Sequence, residues 1–350
     1  MKLRTTVFIA MVLSSAIACS PSESPVSNSS VDASPDTSVA EAPASSLEVT
    51  ETNYAHAETA RNFRNWVNLG ADQKLVHMRE LPPRGTAAPT VQMNDDTLYS
   101  IAIVEAVNGN VAFSIPVVDV YMAVQVVTEG GHGQHYVVEA GDYDLPVETS
   151  FAFLIYRTGT EKGLDASRQA QDQIDSSPLN FGAYELPNYD FEEVEAWTSR
   201  LTAETQGKAF SYTFPRTSAE VTDRHQWNLE NANGWGGSSP EVGVANVYTN
   251  STFLSADECL STTFDDPKSK YFTSITAYDQ DRYLIDGVRN VNSHSWEPND
   301  DGSITVSFNC GDDSPNNIDT NGQDFSFTMR YYGVSQTVVD GNIAPETTVQ

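Results

Sequence analysis

The chain has 350 residues, with 48 Asp and Glu against 19 Lys and Arg, for a formal charge of -29. So acidic a surface repels phosphate backbones, which excludes nucleic acid as a partner, and the acids are spread along the chain as solubility in salty water requires rather than gathered to hold a cation. The length exceeds the usual size of one domain and predicts two packed units.

The first residues, MKLRTTVFIAMVLSSAIACS, set Lys2 and Arg4 ahead of an apolar run from Val7 to Leu13 and end in small residues, the layout of a secretory signal over 1–18. The run is too short to remain as a bilayer-spanning helix. Ala16-Ile17-Ala18-Cys19 is similar to the bacterial lipoprotein cleavage box, with Cys19 as the lipidated residue. Ser20 behind it resembles the signal for the outer membrane of a Gram-negative cell. Cleavage without lipid, giving a periplasmic or secreted protein, is the alternative. Residues 19–48 are nearly free of large apolar side chains and read as a disordered tether, because they bury too little surface to offset their ordering entropy. No later apolar stretch is long enough to cross a membrane, so the membrane is met through the lipid alone.

From Thr52 to Leu81 the spacing of Phe63, Trp66, Val67 and Leu69 predicts helix, divided at Gly70 and stopped by Pro82-Pro83. The period then changes to short β-branched and aromatic segments, Leu98–Val107, Val111–Ile115, Tyr121–Thr128, Tyr136–Glu139 and Phe151–Tyr156, separated by turn residues. Helix returns over Lys162–Ile174 and after Asp190, an N-cap whose capping-box partner is Glu193, so about 160–206 is a helical insertion covering one face or edge of the first sheet. Strands follow at Ala245–Tyr248, Tyr271–Tyr278, Ser303–Asn309 and Phe325–Tyr332, with Asp300-Asp301-Gly302 as a hairpin turn. The reading is a mainly β chain of two antiparallel sandwich units, 49–210 and 211–350, with an N-terminal helical segment and the helical insertion.

Chemistry concentrates in few places. Met93-Asn94-Asp95-Asp96-Thr97-Leu98-Tyr99-Ser100 puts an amide, two carboxylates, hydroxyls and a phenol where a loop becomes a strand. An Asx-type turn accounts for Asn94, Asp96 and Thr97 without function; the functional reading makes Asp96 a general base or a ligand for a hard cation. His132 and His135 sit three apart in a glycine-rich loop, a spacing that lets two imidazoles share a divalent metal if the loop folds back, or simply marks a tight turn. Arg224-His225 and Trp235-Gly236-Gly237 offer an anion holder, a proton shuttle and an aromatic floor, or a loop pinned by one indole and a salt bridge. No nucleophile elbow and no phosphate-cradling loop occurs. Of the three cysteines, Cys259 and Cys310 remain once Cys19 is lipidated, in a compartment where a disulfide persists.

These residues resemble a tandem of two bacterial families, domain of unknown function 1254 and domain of unknown function 1214. The first resemblance rests on Asn94 to Ser100, Ile115-Pro116, Gln125-Val126 and Tyr156-Arg157-Thr158; the second on Ser274 to Asp279, Asp301 to Val306 and Met329-Arg330-Tyr331-Tyr332. Arg224-His225 and Trp235 resemble the joining segment. The resemblance spans about Tyr54 to Gly341 and implies jelly-roll-like sandwiches in an exported protein, without supplying a reaction. The second half departs from the pattern at Phe272, where a tryptophan is usual, and near Asn316–Asp319, where a motif is missing; this leaves Cys259 as a partner for Cys310.

Three functional expectations follow. The first is an envelope-tethered protein binding a small polar or carbohydrate-like ligand through Asn94, Asp96, Thr97, Tyr99 and Gln125, with Arg224, His225, Trp235 and Arg330 as further contacts and no cofactor. The second is a metal-assisted hydrolase using Asp96 or His225 as base and His132 or His135 on a divalent ion. The third is a structural or interaction role at the envelope.

Overall fold

The first large sheet is assembled from segments whose two faces are both covered. The structure, a computed structural model, describes residues 46–204, 209–210, 212–235, 241–341 and 347–349; the predicted signal, Cys19, nearly all of the tether, Gly236 and Gly237 lie outside the described residues. Ser45–Gln350 forms one compact unit. No helix among the described residues is long and apolar enough to cross a membrane.

Helix α1 (Tyr54–Val67) ends sooner than its sequence suggests. Gly70 takes a φ of 88°, which only a residue without a Cβ adopts freely, and the expected second helix gives way to turns and β1 (Val76–His77), paired to β2 (Thr97–Glu105). The chain continues through β3 (Asn110–Ile115), β4 (Met122–Thr128), β5 (Gly133–Val137), β6 (Gly141–Pro146) and β7 (Phe151–Gly159). The sheet order is β1-β2-β7-β4-β5, all antiparallel, while β3 and β6 pair as a separate ribbon. Because side chains alternate along a strand, Val104, Val124, Leu154 and Tyr156 meet the ribbon and α2 (Leu164–Ile174) on one face. Ile101, Ile103, Phe153 and Ile155 meet Phe63 and Trp66 of α1 on the other.

The insertion is divided between two jobs. Helix α2 lies on the sheet, whereas α3 (Phe191–Thr202) joins α1 and α4 (Arg224–Ala232) in a core of Tyr54, Ala57, Val194, Leu201 and Leu229. Asp190 does cap α3, accepting from the Glu192 and Glu193 amides. Glu193 does not complete a capping box: its carboxylate instead accepts the Val49 amide at 2.9 Å and ties the start of the described chain to the helix.

Beyond β8 (Ala209–Phe210) the chain forms β9 (Asn246–Asn250), β10 (Leu260–Asp265), β11 (Phe272–Tyr278), β12 (Asn290–Asn292), β13 (Ser303–Phe308), β14 (Ser326–Tyr332), α5 (Gln336–Gly341) and β15 (Thr347–Val349). The second large sheet runs β12-β11-β14-β9-β8 and packs against the smaller sheet β13-β10-β15. Ile275, Ala277, Phe327 and Met329 interlock there with Phe264, Ile304, Val306 and Phe308. Cys259 and Cys310, flanking the paired ends of β10 and β13, form a disulfide. The turn at Asp300–Gly302 closes as Asn299 N–H donates to the Ser303 carbonyl at 2.8 Å and Gly302 N–H to the Asn299 carbonyl at 2.9 Å.

The opposite face of this second sheet is polar yet buried. Ser274, Thr276, Thr328, Arg330, Asn246 and Tyr248 share it by strand register, and all lie out of solvent. What covers them is the region around the start of β2.

Candidate functional site between the two large sheets

The acid-amide segment bridges the two sheets. Asn94 Oδ1 accepts from the amides of Asp96 at 2.9 Å and Thr97 at 3.0 Å and from the Thr97 hydroxyl at 3.1 Å, an Asx-type turn that starts β2. Its amide nitrogen donates to the Tyr332 hydroxyl, and Tyr99 accepts the Asn94 amide at 3.4 Å. Arg289 holds Asp95 with two parallel bonds of 2.6 and 2.8 Å. Asp96 Oδ1 accepts from Asn292 at 2.9 Å, while the Gln92 and Met93 carbonyls accept from Arg330 at 2.8 Å and Tyr278 at 2.9 Å. Six consecutive residues, 92–97, are thus engaged in turn or inter-sheet bonds. Burial pushes the Asp96 carboxyl above the usual carboxylate range, with Ser274, Asn292 and Arg330 pulling the other way.

Beside this clamp lies an enclosed patch of donors. Arg157, in β7, faces Tyr99 of β2 and Ala123 of β4 in register and is 2 % exposed. Among the described residues its Nε and Nη1 have no hydrogen-bond partner and it forms no ion pair. The groups around it are the phenols of Tyr136, Tyr248, Tyr99 and Tyr332. Burial pushes Tyr99 and Tyr332 up and Tyr136 up to about 12, so these phenols are neutral near pH 7 and supply no counter-charge. The guanidinium itself stays protonated, since its ordinary pKa is above about 12. Arg330 likewise leaves Nε and Nη1 without partners among the described residues, but its Nη2 bonds Gln92 and Tyr278 and it lies close enough to Asp96 to favour that carboxylate's charge. Gln125, on the same sheet face as Arg157, is 1 % exposed, and among the described residues neither end of its amide is bonded.

A cavity of about 50 Å³ opens against Arg157. Tyr99, Tyr248 and Gln92 supply its polar wall, and Trp66, Phe153 and Trp235 its aromatic wall. Among the described residues the buried indole Nε1 of Trp235 also has no partner. The lining is therefore rich in donors and, among the described residues, holds no carboxylate. A separate, larger cleft of about 640 Å³ lies between α1, α3 and the loop 280–283, with Arg61, Arg64 and Arg282 set among Glu58 and Glu195.

The structure brings together Asn94, Asp96, Thr97, Tyr99 and Arg330 and sets Trp235 at the cavity, with Gln125 on the Arg157 face. Arg224 and His225 stand elsewhere, on α4 rather than the loop their composition suggests. Arg224 donates to the Thr52 carbonyl at 2.9 Å, and half-exposed His225 lies 3.2 Å from Glu204. His132 stacks on Trp227 with Nδ1 3.3 Å from Glu148, and burial pushes its pKa down; His135 contacts the Pro146 carbonyl at 2.7 Å. The two imidazoles take separate partners, and among the described residues no three His, Cys, Asp or Glu side chains gather as a metal site.

Sequence reasoning passed over Arg157, Tyr248 and Tyr332 as site residues. Part of the signal was present: alternation places Arg157 on the same face as Phe153 and Ile155, and Arg330 sits between Met329 and the aromatic pair Tyr331-Tyr332. A charge at an inward position needs a partner or a purpose.

Fold and site together define a mainly β protein with several antiparallel sheets and a donor-lined cavity between the two largest. Residues 73–178 match a family described as "Protein of unknown function (DUF1254)". In fold the chain is similar to the VPA0106 protein from Vibrio parahaemolyticus, with 14% identity, a TM-score of 0.62, and coverage of 86% of this chain and 98% of that one. It is also similar to a putative uncharacterized protein from Burkholderia cenocepacia, with 17% identity, a TM-score of 0.48, and coverage of 85% and 88%. No curated protein matches the sequence.

Proposed function

We propose that this protein binds a small polar molecule in the cavity beside Arg157, as an exported, envelope-tethered chain lipidated at Cys19, whose halves 49–210 and 211–350 are units similar to domains of unknown function 1254 and 1214. The observation that carries the reading is the set of buried donors at one cavity: among the described residues, Arg157 Nε and Nη1 and the Trp235 indole nitrogen all lack partners. Leaving a buried polar group unbonded costs about 1–3 kcal/mol, more for a charge, so such donors persist where a ligand meets them. Asn94, Asp96 and Arg330 act in this reading as the clamp that holds the second sheet over the cavity, and Tyr99 as a wall.

The volume of about 50 Å³ holds roughly three to five waters, too little for a sugar ring. A carbohydrate-like ligand suits the larger cleft between α1 and α3, whose volume and mixed charges support that second reading. The metal-assisted hydrolase gains no support from the positions of His132, His135 and His225.

Thermal-shift measurements with small polar solutes and with sugars test the proposal, since a ligand at a hundred times its dissociation constant stabilises by about 2.7 kcal/mol. Small solutes should shift the wild type and lose that effect in Val91→Trp, which plugs the half-buried rim of the cavity. Shifts that survive Val91→Trp unchanged would place the ligand elsewhere.

A further inference from the structure

We infer that the cavity takes a compact carboxylate, a two- or three-carbon organic acid, with its charged end on Arg157 and the indole N–H of Trp235 and its hydrocarbon end against Phe153, Ile101 and Ile155. This rests on the cavity reading above and narrows the ligand by charge, size and shape.

Charge comes first. The buried cations at the meeting of the sheets are unequally balanced: Arg289 has Asp95, Arg330 has Asp96 nearby, and among the described residues Arg157 has no acid. Its closest company is phenolic, with the Tyr136 ring centre 5.9 Å from the guanidinium carbon. A buried, permanently charged guanidinium is favoured when an anion reaches it, and its planar fork matches the two oxygens of a carboxylate. Net charge outside opposes the entry of any anion, but at 0.15 M salt that field is screened within about 8 Å.

Size and shape narrow the anion. Space for roughly three to five waters admits about as many non-hydrogen atoms and excludes phosphate esters and sugar acids. Beside Asn62, Thr90 and Gln92, the rest of the wall includes Ile101, Ile155, Phe153 and Trp66, which offer a methyl or ethyl group an apolar contact. Acetate and propionate satisfy both ends.

The test is isothermal titration of the exported chain, lacking only its signal, with sodium acetate and propionate at constant ionic strength, against acetamide as the uncharged isostere. Acetate is expected to bind saturably, acetamide at least tenfold more weakly, and Arg157→Gln to weaken acetate at least tenfold while Arg157→Lys weakens it less. Circular dichroism of each variant confirms folding, and Trp235→Phe, which removes one donor without touching the charge, gives a second reading with an expected loss of severalfold. Equal binding of acetate and acetamide, both abolished by Val91→Trp, overturns the carboxylate inference and leaves the cavity reading standing. No binding by any solute overturns both.

Discussion

Arg289 and Asp95 join residues 194 apart in sequence through two hydrogen bonds, Nε to Oδ2 at 2.6 Å and Nη2 to Oδ1 at 2.8 Å. Both side chains are about one-tenth exposed, 10% and 11%. Removing one partner strands the other charge away from water, so Arg289→Ala should lose about 3 kcal/mol of stability in urea unfolding. A loss under about 0.5 kcal/mol, typical of an exposed pair, would show that this contact does not fasten the sheets.

Arg157 should behave in the opposite way. Its charge is buried without an acid beside it, so in buffer free of small carboxylates Arg157→Met should raise stability by roughly 1–3 kcal/mol. That gain at the expense of binding is the trade expected of a functional residue. Destabilisation of similar size would show that the guanidinium is already satisfied by the protein.

Asp96 gives a pH signature. Burial raises its folded pKa above the unfolded value of about 3.9, so its contribution is fully present below that value and is lost as pH rises through the folded pKa. The stability of wild type relative to Asp96→Asn should therefore fall as pH increases from about 4, measured by urea unfolding at each pH. A difference that grows with pH would mean the carboxylate is stabilised by its neighbours more than burial opposes it.

The disulfide spans 51 positions. Closing a loop of that size restricts the unfolded chain, and the double variant Cys259→Ser, Cys310→Ser should lose about 4 kcal/mol on the chain-entropy relation. Wild-type melting unaffected by reductant would show that the bond adds nothing at equilibrium.

Local pattern exposed much of the architecture. β2, β4, β11, β13 and β14 lie within a residue or two of their sequence bounds because each carries a β-branched or aromatic run between turn residues. β6 was missed because Gly141-Asp142 and Asp144 read as turn chemistry, while only Tyr143 and Leu145 face the core. Helix α4 was missed because its helical identity comes from the Asp223 cap and from packing on α1 and α3, not from a clear apolar stripe. At the site, the motif from Asn94 to Thr97 was visible as chemistry, but its partners Arg289, Asn292 and Tyr332 are nearly two hundred residues or more away, and no local rule pairs such distances. For Arg157, alternation marks the inward face, but that this face is roofed by the phenols of Tyr136, Tyr248 and Tyr332 is a tertiary fact.

The most direct test follows the indole N–H of Trp235 by nuclear magnetic resonance, with the signal identified by its loss in Trp235→Phe. On titration with acetate the account predicts a saturable shift of this resonance, absent in Arg157→Gln, while Trp197 and Trp296, which pack at α3 and against Phe264, stay still. A Trp235 signal fixed throughout the titration would contradict it.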